Sequence, residues 1–253
     1  MMNNISEASI ILEGIVSVEA AIKAGLRTIN KVFIDIEKHK KRDRKITRFV
    51  SFLKENSITF ELCEREYINS FTDGNTHGGV IADVSERSYS SLPDLVSSLQ
   101  TGEYLVMLDG VEDPFNFGYS IRNLFAFGCR GFIVPERNWM SSAGVVAKSS
   151  AGSSEMCSMA ISHSDDELVE LLKAKGIDIV CSALSHDSIS LFEFRPERPF
   201  VLFIGGEKRG ISNTFIDNAN KIVHIPYSRE AAKYSLPTAS CAAIFGSFLS
   251  SLN

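Results

Sequence analysis

Cysteine is scarce and scattered. Cys63, Cys129, Cys157, Cys181 and Cys241 are odd in number and contain no C-x-x-C pair. That pattern argues against a disulfide framework or a zinc cluster and for reduced thiols. The five histidines have no metal-ligand spacing either, so no metal is expected. No apolar run approaches the length of about 18 residues that a membrane span needs. The opening MMNNISEASIILEG lacks the basic start and apolar stretch of a secretory signal, so a cytoplasmic location is expected. Dinucleotide and P-loop fingerprints are missing too. Positive charge is also in deficit: 26 Lys+Arg stand against 31 Asp+Glu. Taken as one number, a net charge of −5 speaks against a nucleic-acid partner.

What is present is the composition of a soluble globular chain, 44% hydrophobic and 23% charged over 253 residues. That length suits one large domain or two of medium size. Charge divides the chain. Residues 1–90 hold 13 acidic and 13 basic side chains, so the whole acidic excess lies beyond them. A serine-rich stretch with one proline, SERSYSSLPDLVSSLQTGE, separates the two parts. The expected organisation is a small α/β domain over 1–88, a linker over 89–100 containing a short helix near Leu92–Leu99, and a second domain over 101–253.

In the first part, a helix is expected over Val18–Leu26 and a strand over Lys31–Ile36. Ile46, Phe49, Val50 and Leu53 fall at offsets 0, 3, 4 and 7, which predicts a helix from Asp43 to Asn56. Strands are expected at Ser57–Leu62 and Gly78–Val84. The second part alternates more plainly. Tyr104–Gly110 and Gly131–Val134 read as strands, as do MCSMAI, IDIVCSAL, FVLFIGG and KIVHIPY. Helices are expected over Tyr119–Phe127, Asp165–Gly176 and Leu236–Leu252. Short hydrophobic strands separated by helices imply a mostly parallel sheet covered on both faces.

Such sheets place ligands in loops beyond the carboxyl ends of their strands. Three of these loops stand out. DPFNFGYSIR carries Asn116, Gly118 and, in the expected opening turn of a helix, Arg122. Glycine for close approach and a guanidinium near helix N–H groups suit an anion such as phosphate, although a capped turn with a surface arginine has the same pattern. FIGGEKRGIS places Gly205 and Gly206 directly after an apolar strand, followed by Glu207; an ordinary strand-to-helix turn is the competing reading. IPYSREAAKYSLPTASCAAIFG leads from a strand end at Ile225-Pro226 to a small-residue helix beginning near Ser235. Core packing alone also accounts for small residues.

In order and spacing these segments resemble the three motifs of the SpoU-type (TrmH-like) RNA 2′-O-ribose methyltransferases of the SPOUT superfamily. N-x-G-x-x-x-R is met by Asn116, Gly118 and Arg122, and G-x-E-x-x-G by Gly205, Glu207 and Gly210. The third motif is met by Ile225-Pro226 and Ser235-Leu236, with Pro237 where many members have Asn and a loop two residues longer. Gly14–Arg27 and Thr76–Ala82 resemble the opening helix and closing strand of the family's N-terminal substrate-binding domain. The resemblance implies a C-terminal trefoil knot, a rare exception to unknotted chains. It also implies a homodimer, with the small-residue C-terminal helix as a plausible interface.

The implied activity is methyl transfer from S-adenosylmethionine to a ribose 2′-hydroxyl of rRNA or tRNA. By position, Gly205, Gly206, Ile225 and Leu236 would hold the cofactor, and Arg122, Asn116, Glu207 and Ser235 would be the catalytic set. A guanidinium keeps its proton, so Arg122 suits binding the adjacent phosphate and stabilising a developing alkoxide better than serving as a base. Asn116 would orient the loop or the ribose, and Glu207 would accept backbone or arginine hydrogen bonds. The net charge then reads differently. Seven basic residues lie from Lys38 to Arg48 against Asp43 alone, and Lys41, Arg44, Lys45 and Arg48 are expected to contact RNA. Two rivals remain: an RNA-binding protein of this fold that has lost turnover, motivated by Pro237 and the longer third loop, and a nucleotide-dependent oxidoreductase on a doubly wound sheet.

Overall fold

A computed structural model describes residues 10–72, 76–135, 142–228 and 235–252. In chain order its elements begin with strand β1 (Ile10–Glu13), helix α1 (Ile15–Ala24), β2 (Ile29–Asp35), α2 (Ile36–Lys40), α3 (Arg44–Glu55), β3 (Phe60–Cys63), α4 (Arg65–Asn69) and β4 (Val80–Val84). Then come α5 (Leu92–Ser97), β5 (Tyr104–Asp109), α6 (Pro114–Ala126), β6 (Gly131–Pro135), α7 (Ala143–Ser149), α8 (Ser153–Met156) and β7 (Ser158–Ser162). The chain continues through α9 (Asp165–Lys175), β8 (Asp178–Ser182), β9 (Ile189–Ser190), β10 (Phe200–Gly205), α10 (Asn213–Asp217), β11 (Lys221–His224) and α11 (Thr238–Ser250).

These elements form two compact units. The first contains the described residues up to Ser88 and also those from Ser142 to Met156. Its four strands are ordered β1-β4-β2-β3, with only β2 and β3 parallel. The amphipathic helix α3 covers this sheet through Ile46, Phe49, Val50 and Leu53. Its ends follow from local chemistry: the Asp43 carboxylate accepts from the N–H groups of Lys45 and Ile46, and Asn56 ends the helix. Helices α7 and α8 differ from the expected division, which put them in the second domain. A Cβ on Gly144 would stand 2.3 Å from the Ile11 carbonyl oxygen, so a residue without one lets α7 lie against β1. Ala147 then enters the core of the first unit, and Arg27 pairs with Glu155 of α8 at 2.6 Å. Hydrophobic periodicity cannot reveal such a return, because it reports which face is buried and not against what.

The second unit carries seven strands, ordered β7-β6-β5-β10-β8-β11-β9 and all parallel. Strand β5 is buried along its whole length, as a strand covered on both faces must be. The stretch expected as a linker contributes to this unit: Leu95, Val96 and Leu99 join its core, and the Ser90 N–H donates to the Met159 carbonyl at 2.8 Å. Helix α6 starts five residues earlier than the spacing predicts. Asp113 caps it by accepting from the N–H groups of Phe115 and Asn116, and Pro114 occupies the first turn, where a missing N–H costs nothing. Helix α11 begins later than expected, at Thr238, with Ser235–Pro237 outside it.

Candidate active site

The three motif loops lie at the carboxyl ends of β5, β10 and β11. Gly205, the last residue of β10, is paired with Asp109, the last of β5. The Asp109 carbonyl accepts from Gly206 N–H at 2.7 Å, and its carboxylate accepts from Ser212 N–H at 2.7 Å. A bridge between Gly206 and Gly210 folds the intervening Glu207-Lys208-Arg209 into an exposed tip. Backbone fits against backbone here. A Cβ on Gly206 would stand 2.1 Å from the Gly110 carbonyl oxygen, and one on Gly205 would stand 2.7 Å from the carbonyl carbon of Gly210. Any side chain at these two positions would force the crossing loops apart.

Asn116 and Glu207 meet in this arrangement. The Asn116 Nδ2 donates to Glu207 Oε1 at 3.1 Å. Glu207 therefore accepts from a side-chain amide, where a backbone or arginine donor was expected. The early start of α6 places Asn116 and Gly118 on the helix and moves Arg122 into its third turn, away from the helix N–H groups. That overturns the picture of an anion held jointly by Arg122 and the helix start. Arg122 is exposed and makes no hydrogen bond or ion pair among the described residues. Helical spacing puts it on one outer strip with Phe115, 50% exposed, and Tyr119, 45% exposed. Glu112 pairs with Arg209 at 3.1 Å and so joins the first motif loop to the tip of the second.

The third motif closes back on the second. Ile225 follows β11, which lies two strands from β10, roughly 10 Å at ordinary strand spacing. Tyr227 Oη accepts from Leu236 N–H at 3.4 Å, which holds the two ends of the loop together. Ser235 is exposed and Pro237 caps α11 with extended backbone angles. Thr238 Oγ1 donates to the Gly205 carbonyl at 3.2 Å, and Asn123 Nδ2 donates to the Ala239 carbonyl at 2.9 Å. Asp109, Asn123 and Thr238 are absent from the residues expected to form the site. Only Asp109, ending an apolar strand, carries a signal in the sequence that could reveal it.

Gly205, Gly206, Ile225 and Leu236 bring no charged side chain, and Gly205, Ile225 and Leu236 are half-buried. Such a lining suits a cofactor recognised through peptide groups and apolar contact. Among the described residues no group of three His, Cys, Asp or Glu could hold a metal ion.

Within the first unit a cavity of about 710 Å³ is lined by Lys38, Arg44, Lys45 and Lys148, with the first turn of α1 among its walls. The Lys38 ammonium donates to the Gly78 carbonyl at 2.7 Å, and Lys148 pairs with Glu13. Of the four residues expected to contact RNA, Arg44 and Lys45 line this cavity. Lys41 and Arg48 do not, although both are exposed. Lys41 follows α2 as its C-terminal cap and lies outside α3, which begins only after its Asp43 cap. His77 is fully buried beside the cavity. Its Nδ1 accepts from Gly79 N–H at 3.1 Å and its Nε2 faces Asn69 Oδ1 at 2.9 Å. Burial, and then the nearby Arg65 guanidinium, hold the imidazole below its ordinary pKa.

In sequence and in fold the chain is similar to known proteins. The chain is 27% identical over 229 residues to a protein of Photorhabdus laumondii named 23S rRNA (guanosine-2′-O-)-methyltransferase RlmB, covering 89% of this chain and 93% of that one. The Escherichia coli K12 protein of the same name is 26% identical over 235 residues, covering 92% and 95%. Among solved structures, the AdoMet-bound rRNA methyltransferase from Sinorhizobium meliloti matches with a TM-score of 0.77 at 22% identity, over 96% of this chain and 87% of that one. AviRb, a SpoU methyltransferase of Streptomyces viridochromogenes solved with AdoMet, matches with a TM-score of 0.78 at 21% identity, over 97% and 90%. The profile described as RNA 2′-O ribose methyltransferase substrate binding matches residues 11–90. A second profile matches residues 103–246, more than half the chain and all three motif loops, and by it the chain belongs to the SpoU rRNA methylase family.

Proposed function

We propose that the protein transfers a methyl group from S-adenosylmethionine to a ribose 2′-hydroxyl of an rRNA. The 23S rRNA is the first candidate, since relatives named for it align over about nine-tenths of both chains. The observation that carries this reading is the Asn116–Glu207 hydrogen bond, which joins the first and second motifs beside Gly205 and Gly206. The first unit, residues 1–88 joined by 142–156, serves RNA binding, with Lys41, Arg44, Lys45 and Arg48, and the second unit serves methyl transfer. Lys38 and Lys148 extend the basic rim of the cavity that Arg44 and Lys45 line. The protein works as a cytoplasmic homodimer whose C-terminal segment is threaded as a trefoil knot. Exposed Phe115 and Tyr119 of α6 offer apolar surface to a second copy.

Bound S-adenosylmethionine supplies an electrophilic methyl on a sulfonium. Gly205, Gly206, Ile225 and Leu236 hold it through backbone and apolar contact. These residues would present that methyl in line with a ribose 2′-oxygen, whose proton would leave to water or a phosphate oxygen. Arg122, without a hydrogen bond or ion pair among the described residues, binds the adjacent phosphate and stabilises negative charge developing on the oxygen. Asn116 and Glu207 keep the first and second loops in register, and Ser235 lies at the exposed start of the closing segment. In-line approach makes positioning the main contribution of the protein.

The test is transfer of tritiated methyl to purified rRNA and tRNA, followed by mapping of ribose methylation in cells with and without the protein. One 2′-O-methyl lost from rRNA is the expected outcome. Cofactor binding without transfer to any RNA would leave a binding protein in place of an enzyme.

A further inference from the structure

Residues at the start of α11 are bonded to all three motif loops. Leu236 N–H, two residues before α11, donates to the Tyr227 hydroxyl in the loop after β11. Thr238 bonds to Gly205 of the second motif. Ala239 accepts from Asn123, the residue after Arg122 of the first. Thr238 is only 2% exposed, and its hydroxyl is spent on a carbonyl that ends the central strand β10. Pro237 before it has φ −53° and ψ 144°, a conformation the proline ring favours, so the chain enters the helix at one angle. The departure of this chain from the usual third motif thus coincides with a polar tie made by the next residue.

We infer that Thr238 and Asn123 are positioning residues for methyl transfer. Thr238 fixes the Gly205–Gly206 loop against the start of α11, and Asn123 fixes the helix carrying Arg122 against the same turn. The assignment rests on the function proposed above, in which Gly205 and Leu236 hold the cofactor and Arg122 acts on the RNA. The two ties then govern different quantities. Loss of the Thr238 hydroxyl leaves the Gly205 carbonyl without this donor and loosens the cofactor loop, which weakens cofactor affinity. Loss of the Asn123 amide lets α6 shift relative to α11, which misplaces Arg122 without touching the cofactor.

The variants Thr238→Val, Thr238→Ser and Asn123→Ala separate these effects in the full-length protein. Thr238→Val keeps the branched shape and is expected to raise the Kd and KM for S-adenosylmethionine about tenfold, with kcat at saturating cofactor within about twofold of wild type. Thr238→Ser, which keeps the donor, restores the affinity. Asn123→Ala lowers kcat about tenfold and leaves cofactor Kd within about twofold. A merely structural role would lower the melting temperature of the variants without this split between KM and kcat. Unchanged cofactor affinity in Thr238→Val, or a serine variant no better than the valine one, overturns the assignment for Thr238. If the valine variant does not fold, unchanged kcat in Asn123→Ala still overturns the shared tie. Wild-type protein that binds no S-adenosylmethionine overturns the proposed function and this assignment with it. Wild-type binding with wild-type behaviour in all three variants overturns this assignment alone.

Discussion

Asn116 and Glu207 are 91 residues apart in sequence and 3.1 Å apart in the fold, with the amide of one donating to the carboxylate of the other. The hydrogen bond forms because β5 and β10 are neighbours in register, so the loops leaving Asp109 and Gly205 start side by side. Asn116→Ala should lower methyl transfer about tenfold. Glu207→Gln, which keeps an acceptor oxygen for Asn116, should retain more activity than Glu207→Ala. Steady-state kinetics on the three variants decide this, and equal losses in the two Glu207 variants would show that charge matters more than the hydrogen bond.

Arg122 is exposed and makes no hydrogen bond or ion pair among the described residues, so its removal should leave the surrounding packing intact. Arg122→Ala should reduce transfer by about 10²–10³-fold, the range for losing a donor that stabilises developing negative charge. Cofactor affinity and melting temperature should stay near wild type. Single-turnover methylation is the measurement, and full activity in the variant would remove Arg122 from the reaction.

The basic rim of the first-unit cavity predicts a salt-sensitive interaction. Each Lys or Arg that meets a phosphate contributes about 0.7–0.9 to the slope of log affinity against log salt concentration. Arg44→Ala with Lys45→Ala should therefore flatten the slope by about 1.5, whereas Lys54→Ala, outside the cavity lining, should leave it unchanged. Filter binding of RNA fragments across a salt series reads the slope directly.

Arg27 and Glu155 form a buried ion pair, 5% and 3% exposed, and Arg27 also donates to the Ser85 carbonyl. Removing one partner leaves the other charge buried without compensation. Glu155→Ala should destabilise the protein by about 3–5 kcal/mol, and the double change Arg27→Met with Glu155→Leu should cost less than either change alone. Urea denaturation monitored by circular dichroism tests the inequality.

His77 gives the fold a pH dependence of definite sign. Its folded-state pKa lies below the ordinary 6.5, first because the ring is buried and then because the Arg65 guanidinium is near. The stabilisation is fully present above pH 6.5 and is lost as pH falls from there through the folded value. Midpoints of urea unfolding should decline over that window, and His77→Gln should make the decline shallower.

Much of the fold is legible from local pattern. Helix α3 follows from four apolar residues at helical spacing bounded by Asp43 and Asn56, and the strands of the second unit from short apolar runs between helices. These features are decided within about one turn or one strand, where a few neighbours set the outcome. The early start of helix α6 has a local cause as well: Asp113 and Pro114 have the composition of a loop, yet together they cap and open a helix.

The division of charge, the parallel character of the second sheet and the three motifs that mark the family are all written in the order of residues. That Asn116 bonds to Glu207, that Thr238 and Asn123 tie the start of α11 to the other two loops, and that Ser142–Met156 completes the first unit emerge only in the folded chain. The reason is physical. A side chain advertises its type and its periodicity, but the partner of a hydrogen bond is chosen by strand order and loop crossing. Those depend on the whole chain at once.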